Sequence, residues 1–196
     1  MTRFLALGDS YTIGEAVAPD ERWPALLAQR LELGEPEIVA RTGWTTDELS
    51  AAIDAAKPQG PFDLVTLLIG VNDQYRGRNV ESYRGGFTAL LDRAVAFAGN
   101  DPRRVVVVSI PDWGVTPFAA DRDRAQIAAE IDRYNGVNRD EAGRAGAHYA
   151  DIGTVSREAA SRPDLTASDG LHPSADLYRR WVEIILPKAR LALATH

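Results

Sequence analysis

The chain has 196 residues, 45% of them hydrophobic and 26% charged; that is enough for one well-filled core and short for two, so one globular domain over residues 1–196 is expected. Its formal net charge of -6 argues against nucleic acid or an anionic membrane as the main partner, because both select clustered Lys and Arg. The sequence has no cysteine, which excludes disulfides, zinc–thiolate sites and a cysteine nucleophile.

An apolar run at 4–7 follows the first three residues directly. No signal-peptide pattern precedes it and no apolar stretch approaches ~18 residues, so a cytoplasmic chain without membrane insertion is expected. The run ends at Gly8-Asp9-Ser10, ahead of a helical pattern over 23–33. Strand, glycine-bearing turn and helix make the opening unit of an α/β fold. A second strand at 37–40 ends at Thr42-Gly43-Trp44 and leads to a helix over 46–56. A third at 64–69 ends at Gly70-Val71-Asn72-Asp73, followed by Gln74-Tyr75-Arg76-Gly77-Arg78 and a helix over 82–97. The fourth, 105–110, runs into Pro111-Asp112-Trp113-Gly114-Val115-Thr116-Pro117-Phe118 and a helix over 127–144, and the fifth spans 148–152. Residues 64–69 and 105–108 are nearly continuous apolar, β-branched runs, as suits strands covered by helices on both faces. A parallel sheet in a three-layer α/β/α sandwich is therefore expected. Residues 157–173 show no clear periodicity, and connections of that length are often functional. The chain closes in an amphipathic helix over 174–193, with Leu177, Trp181, Ile184, Ile185 and Leu191 on one side. Pro187 is expected to kink it or end its first segment.

In doubly wound sheets of order 2-1-3, the turns after the first three strands are neighbours at the edge where ligands bind. Ser10 would stand in the middle of them, and Ser168-Asp169-Gly170-Leu171-His172-Pro173 falls just before the last helix. Taken singly, each has a structural reading. Ser10 could cap a helix or hold a phosphate, Asn72-Asp73 could be a cap, Gly43 could permit a left-handed turn, and Asp169-Gly170 is a common turn signal. Together they supply what acyl transfer through a serine needs. The hydroxyl requires a base, and a histidine with its ordinary pKa of ~6.5 serves near neutral pH. A carboxylate must orient that base, and Asp169 and His172 provide the pair within one turn. The backbone N–H groups of Ser10 and Gly43 and the side-chain amide of Asn72 would supply donors to an oxyanion. Gly43 suits this because an absent side chain lets the substrate oxygen approach the main chain. Asp9 reads as a structural partner of nearby backbone, and His148 and His196 as non-catalytic. Asp9, Asp73, Asp169 and His172 are not taken as a metal site, since this chemistry needs neither metal nor other cofactor.

In order along the chain, Gly8-Asp9-Ser10-Tyr11-Thr12, Gly43, Gly70-Val71-Asn72-Asp73 and Asp169-Gly170-Leu171-His172-Pro173 resemble the four sequence blocks of the SGNH (GDSL-type) hydrolases. The resemblance spans residues 4–173. It implies a flavodoxin-like α/β/α fold with a five-stranded sheet of order 2-1-3-4-5, and serine hydrolase activity on esters or thioesters. It also implies a triad with a three-donor oxyanion hole: Ser10 as nucleophile and first donor, Gly43 and Asn72 as the other donors, His172 as base and Asp169 as its orienting group. Tyr11 departs from the family motif, which has leucine there, and bears on the packing beside the nucleophile. No GxSxG elbow is present, which disfavours the α/β-hydrolase fold. The expected function is a cofactor-independent serine esterase cleaving small or medium acyl esters, small-molecule substrates, through an acyl-enzyme intermediate. Lysophospholipase or thioesterase activity and carbohydrate deacetylation are alternatives within the class; a flavodoxin-like phosphate- or flavin-binding module is the alternative outside it. Trp113 and Phe118 could line an acyl pocket or serve as core aromatics, and Arg76 or Arg78 could meet an anionic alcohol portion or stay solvated.

Overall fold

A computed structural model describes residues 2–194; Met1, Thr195 and His196 lie outside the described residues. The unbroken apolar runs form the middle of one parallel sheet. Strands β1 (Phe4–Gly8), β3 (Leu64–Leu68) and β4 (Val105–Val108) are buried along their whole length. The shorter and more polar β2 (Glu37–Ala40) and β5 (His148–Ala150) take the two edges, giving the order β2-β1-β3-β4-β5. Gly8 pairs with Ala40 on one side and Leu68 on the other. The first three strands therefore end level, and the turns beyond them leave the sheet side by side.

The helices are α1 (Ser10–Ile13), α2 (Trp23–Arg30), α3 (Thr46–Ala56), α4 (Val71–Tyr75), α5 (Val80–Phe97), α6 (Arg124–Ala145), α7 (Gly153–Arg157) and α8 (Ala175–Leu193). One layer joins α2 to α8, which also packs on β3, β4 and β5; the other joins α3, α5 and α6 over the sheet from β2 to β5. Trp23, Phe87 and Trp181, from both layers, are fully enclosed. The result is the expected three-layer sandwich with the expected strand order.

Helix limits differ from the sequence expectation where side chains cap. Asn79 Oδ1 accepts the N–H groups of Glu81 and Ser82 (2.9 and 3.0 Å) and starts α5 at Val80, while Asp123 Oδ1 accepts that of Gln126 (2.9 Å) and starts α6 at Arg124. The helix expected over 23–33 stops at Arg30, ahead of Glu32 in a left-handed conformation with φ 56°. Three short helices, α1, α4 and α7, occupy what read as turns; helices of four or five residues show no periodicity to find. Pro187 neither ends nor divides α8. The carbonyl it leaves without a donor belongs to exposed Glu183, which water can satisfy, while Ile185, Leu186 and Ala189 stay buried against the sheet. Ile184 and Leu191, assigned to the inner face, are instead 39% and 54% exposed.

Residues 157–173 form the end of α7 and two 3₁₀ turns, Glu158–Ala160 and Pro163–Leu165. A bridge between Thr166 and Pro173 and a 2.7 Å bond from Ala167 N–H to the His172 carbonyl then pinch off a tight loop. Among the described residues, no helix is long and apolar enough to cross a membrane.

Candidate active site

The turn after β1 is compact because Gly8 lets it be. A Cβ on Gly8 would lie 2.1 Å from Thr12 Oγ1 and 2.5 Å from the Leu68 carbonyl oxygen, so only glycine fits between α1 and the end of β3. Asp9 caps α1 by accepting the Tyr11 N–H at 3.0 Å, and Ser10 is the first helical residue. Its N–H therefore has no intrahelical acceptor. Asp9 is fully enclosed and its Oδ2 has no hydrogen-bond partner among the described residues. Burial pushes its carboxyl up to about 8, against the Tyr11 hydrogen bond and with the Asp73 charge adding to it.

Beyond β2, Gly43 adopts φ 88°, and a Cβ there would meet nothing within 4 Å. The left-handed backbone, rather than crowding by the protein, is what requires glycine at this position. No acceptor lies on the Gly43 N–H among the described residues. Beyond β3, Gly70 turns at φ 128° against the Tyr83 ring, and α4 follows at once. The Asn72 amide donates to the Trp44 carbonyl at 2.9 Å, tying α4 to the β2–α3 turn. Asp73, fully buried, accepts the Thr46 N–H (3.0 Å) and hydroxyl (2.8 Å) and pairs with Arg78 at 3.1 Å. Burial still outweighs these partners and raises its carboxyl above the usual range.

The fourth element comes from the pinched loop before α8. Asp169 Oδ1 accepts the N–H groups of Leu171 and His172, both at 2.9 Å, and Oδ2 lies 2.6 Å from His172 Nδ1. Burial pushes the Asp169 carboxyl up, but its bonds to the His172 ring and to the two backbone N–H groups outweigh that and hold it below the usual range. With a carboxylate at Nδ1, the neutral ring carries its proton there and keeps the Nε2 lone pair. Tyr11, where the sequence departs from the family motif, is buried with its ring 5.4 Å from that of His172 and 6.1 Å from that of Trp181. The Tyr11 carbonyl accepts the Tyr178 hydroxyl at 3.1 Å. The larger ring thus forms the wall behind the histidine.

Ser10, Gly43, Asn72 and His172 all line one cavity of about 170 Å³. No hydrogen bond joins the Ser10 hydroxyl to His172 in this conformation among the described contacts; such bonds often tighten only with substrate. Trp113 and Phe118 line the same cavity. Trp113 is also 95% enclosed, its Nε1 donating to Gln74 Oε1 at 2.8 Å, so it is wall and core at once. Tyr75, which the sequence reading passed over, completes an aromatic cluster with ring centroids 5.4 Å from Trp113 and 6.4 Å from Phe118. Tyr75 lies one turn beyond Asn72 and Val71 on α4, and a helix too short to show a period left no local signal for it. Leu171 was missed as well, and it too lines the cavity.

Arg76 does not line the cavity. Its guanidinium is drawn instead to the Gly43 carbonyl at 2.7 Å and the Glu48 carboxylate at 3.3 Å. Arg78 is likewise engaged, with Asp47 and Asp73. Asp9 and Asp73 each face partners of their own, and among the described residues no three His, Asp or Glu side chains converge as a metal would need. His148 opens β5 at the opposite end of the strand from the cavity, and burial lowers its pKa.

A model of the "GDSL-like Lipase/Acylhydrolase family" matches residues 6–180. Among solved structures the chain resembles TesA, at 20% identity and TM-score 0.75, covering 98% of this chain and 100% of that one. It also resembles phospholipase A1 from Streptomyces albidoflavus NA297 (20% identity, TM-score 0.73, 96% and 98% covered). A third is Axe2, an acetylxylan esterase from Geobacillus stearothermophilus (21% identity, TM-score 0.67, 96% and 94% covered). At these identities the likeness is one of fold. No curated protein matches it in sequence.

Proposed function

The chain belongs to the GDSL-like lipase/acylhydrolase family, a family of hydrolases, and from that membership we propose that it is a serine esterase acting through Ser10, His172 and Asp169. The observation that carries the reading is the Asp169–His172 pair, 2.6 Å apart, whose histidine lines one cavity with Ser10. His172 Nε2 takes the proton as Ser10 Oγ attacks the ester carbonyl carbon, and the carbonyl oxygen becomes an oxyanion facing the Ser10 and Gly43 N–H groups and the Asn72 amide. Collapse breaks the bond to the alcohol oxygen, which leaves with the proton from His172. Water, deprotonated by the same nitrogen, then attacks the acyl-enzyme and frees the acid. Asp169, held ionised by its hydrogen bonds, orients the ring and stabilises the imidazolium.

The cavity, about 170 Å³, is smaller than the ~300–1,000 Å³ of pockets for drug-sized ligands, which supports small or medium acyl groups. A phosphate- or flavin-binding module leaves the Asp169–His172 pair without a task. Hydrolysis of p-nitrophenyl acetate by the wild type beside Ser10→Ala is the test. Turnover lost in the variant is expected; equal rates would overturn the reading.

A further inference from the structure

Arg76 ends α4, and its side chain turns away from the cavity toward the turn between β2 and α3. Nη2 donates to the Gly43 carbonyl at 2.7 Å, and the guanidinium meets both Glu48 oxygens, at 3.3 and 3.4 Å. Glu48 is itself fixed, accepting the Thr45 N–H at 2.9 Å and the Thr45 hydroxyl at 3.0 Å in the capping box of α3. The Asn72 amide takes the next carbonyl, that of Trp44. The α4 segment therefore grips two successive carbonyls of the Gly43-Trp44 turn.

Gly43 has little else to hold it. Nothing packs where its side chain would be, and glycine passes readily between positive and negative φ. The internal bond of the turn, Trp44 N–H to the Arg41 carbonyl, is long at 3.3 Å. Holding the Gly43 carbonyl anchors the peptide plane on one side of its Cα and so narrows the rotations open to the plane on the other side, which carries the Gly43 N–H.

We propose that Arg76 is a positioning residue for the oxyanion hole, clamping the Gly43 carbonyl so that the Gly43 N–H and the Asn72 amide converge on one point. The inference rests on the reading of Gly43 and Asn72 as oxyanion donors. It replaces the expectation that Arg76 meets substrate directly, and the two make different kinetic demands. A donor held for the transition state acts on kcat, whereas a substrate contact acts first on KM.

The test measures kcat and KM on p-nitrophenyl acetate for Arg76→Met, Arg76→Lys and Glu48→Gln. It adds the rate at which diethyl p-nitrophenyl phosphate inactivates each, since attack by Ser10 on phosphorus places the phosphoryl oxygen in the same hole. Arg76→Met is expected to lose about ten- to a hundredfold in kcat, less than the ~10²–10³ of removing a donor outright, with KM within about twofold. Inactivation should slow in parallel. Lysine should recover part of the loss, having one donor group for two partners. Glu48→Gln, which loosens Arg76 without touching Gly43, should show a smaller loss of the same kind, so the inference stays testable if Arg76→Met folds poorly. Unchanged kcat, or a loss confined to KM, would overturn the clamp. Ser10→Ala separates the two levels: an active Ser10→Ala defeats the esterase reading itself, while an inactive one beside an unimpaired Arg76→Met defeats only the inference about Arg76.

Discussion

Asp9 sits directly behind the Ser10 turn, fully enclosed, with one oxygen on the Tyr11 N–H and the other without a partner among the described residues. A carboxylate there would be an uncompensated buried charge, so the folded protein holds the proton up to about pH 8. The unfolded chain releases that proton near pH 4. Between those values the native state binds the extra proton, so raising the pH across this window lowers the stability of the fold. Asn cannot ionise and keeps the oxygen that accepts from Tyr11. Asp9→Asn is therefore expected to gain stability relative to the wild type as pH rises from 5 to 8, on the order of several kcal/mol. Denaturant unfolding at a series of pH values measures it, and a difference that stays flat would place the proton elsewhere. Asp169 has the opposite sign. Its carboxyl is held low, so what its hydrogen bonds contribute is present at neutral pH and lost as acid protonates it.

At the scale of elements, α8 shows how tertiary burial overrides local preference. Proline inside a helix costs roughly 3 kcal/mol against alanine, yet α8 runs through Pro187 because its inner face is committed to the sheet and to α2. Pro187→Ala restores an N–H for the Glu183 carbonyl and removes the ring clash, while the unfolded chain regains freedom worth about 0.4–1 kcal/mol. A net gain of about 1–2 kcal/mol is expected, read as a higher denaturation midpoint at unchanged slope. A loss would mean that the ring itself packs. The short helices α1 and α4 follow another logic. Each begins within three residues of a strand end, so the first and third strands present Ser10 and Asn72 at adjacent points of one edge.

For the molecule as a whole, the parallel sheet places its functional turns at one end and the helical layers close the sides. The cavity at that end is small and is walled by Tyr75, Trp113 and Phe118. Hydrolysis across a p-nitrophenyl ester series is accordingly expected to be fastest for short chains and to decline well before about eight carbons; a rate still rising past that length would show that the wall opens. The sequence alone determined the parallel sheet and the residues of the four turns, while the strand order came as an implication of the family resemblance. Sheet and turns depend on hydrophobic period, on glycine and capping chemistry, and on motifs read along the chain. Only the tertiary structure decided where side chains outside those motifs point. Tyr75 became a cavity wall because α4 turns it toward Trp113, and Arg76, its neighbour, was captured by Glu48 and the Gly43 carbonyl on a different element. Ile184 and Leu191 came to lie outside because α8 rotates to bury Trp181 and Ile185. Each outcome is settled by partners far along the chain, whose proximity no local pattern encodes.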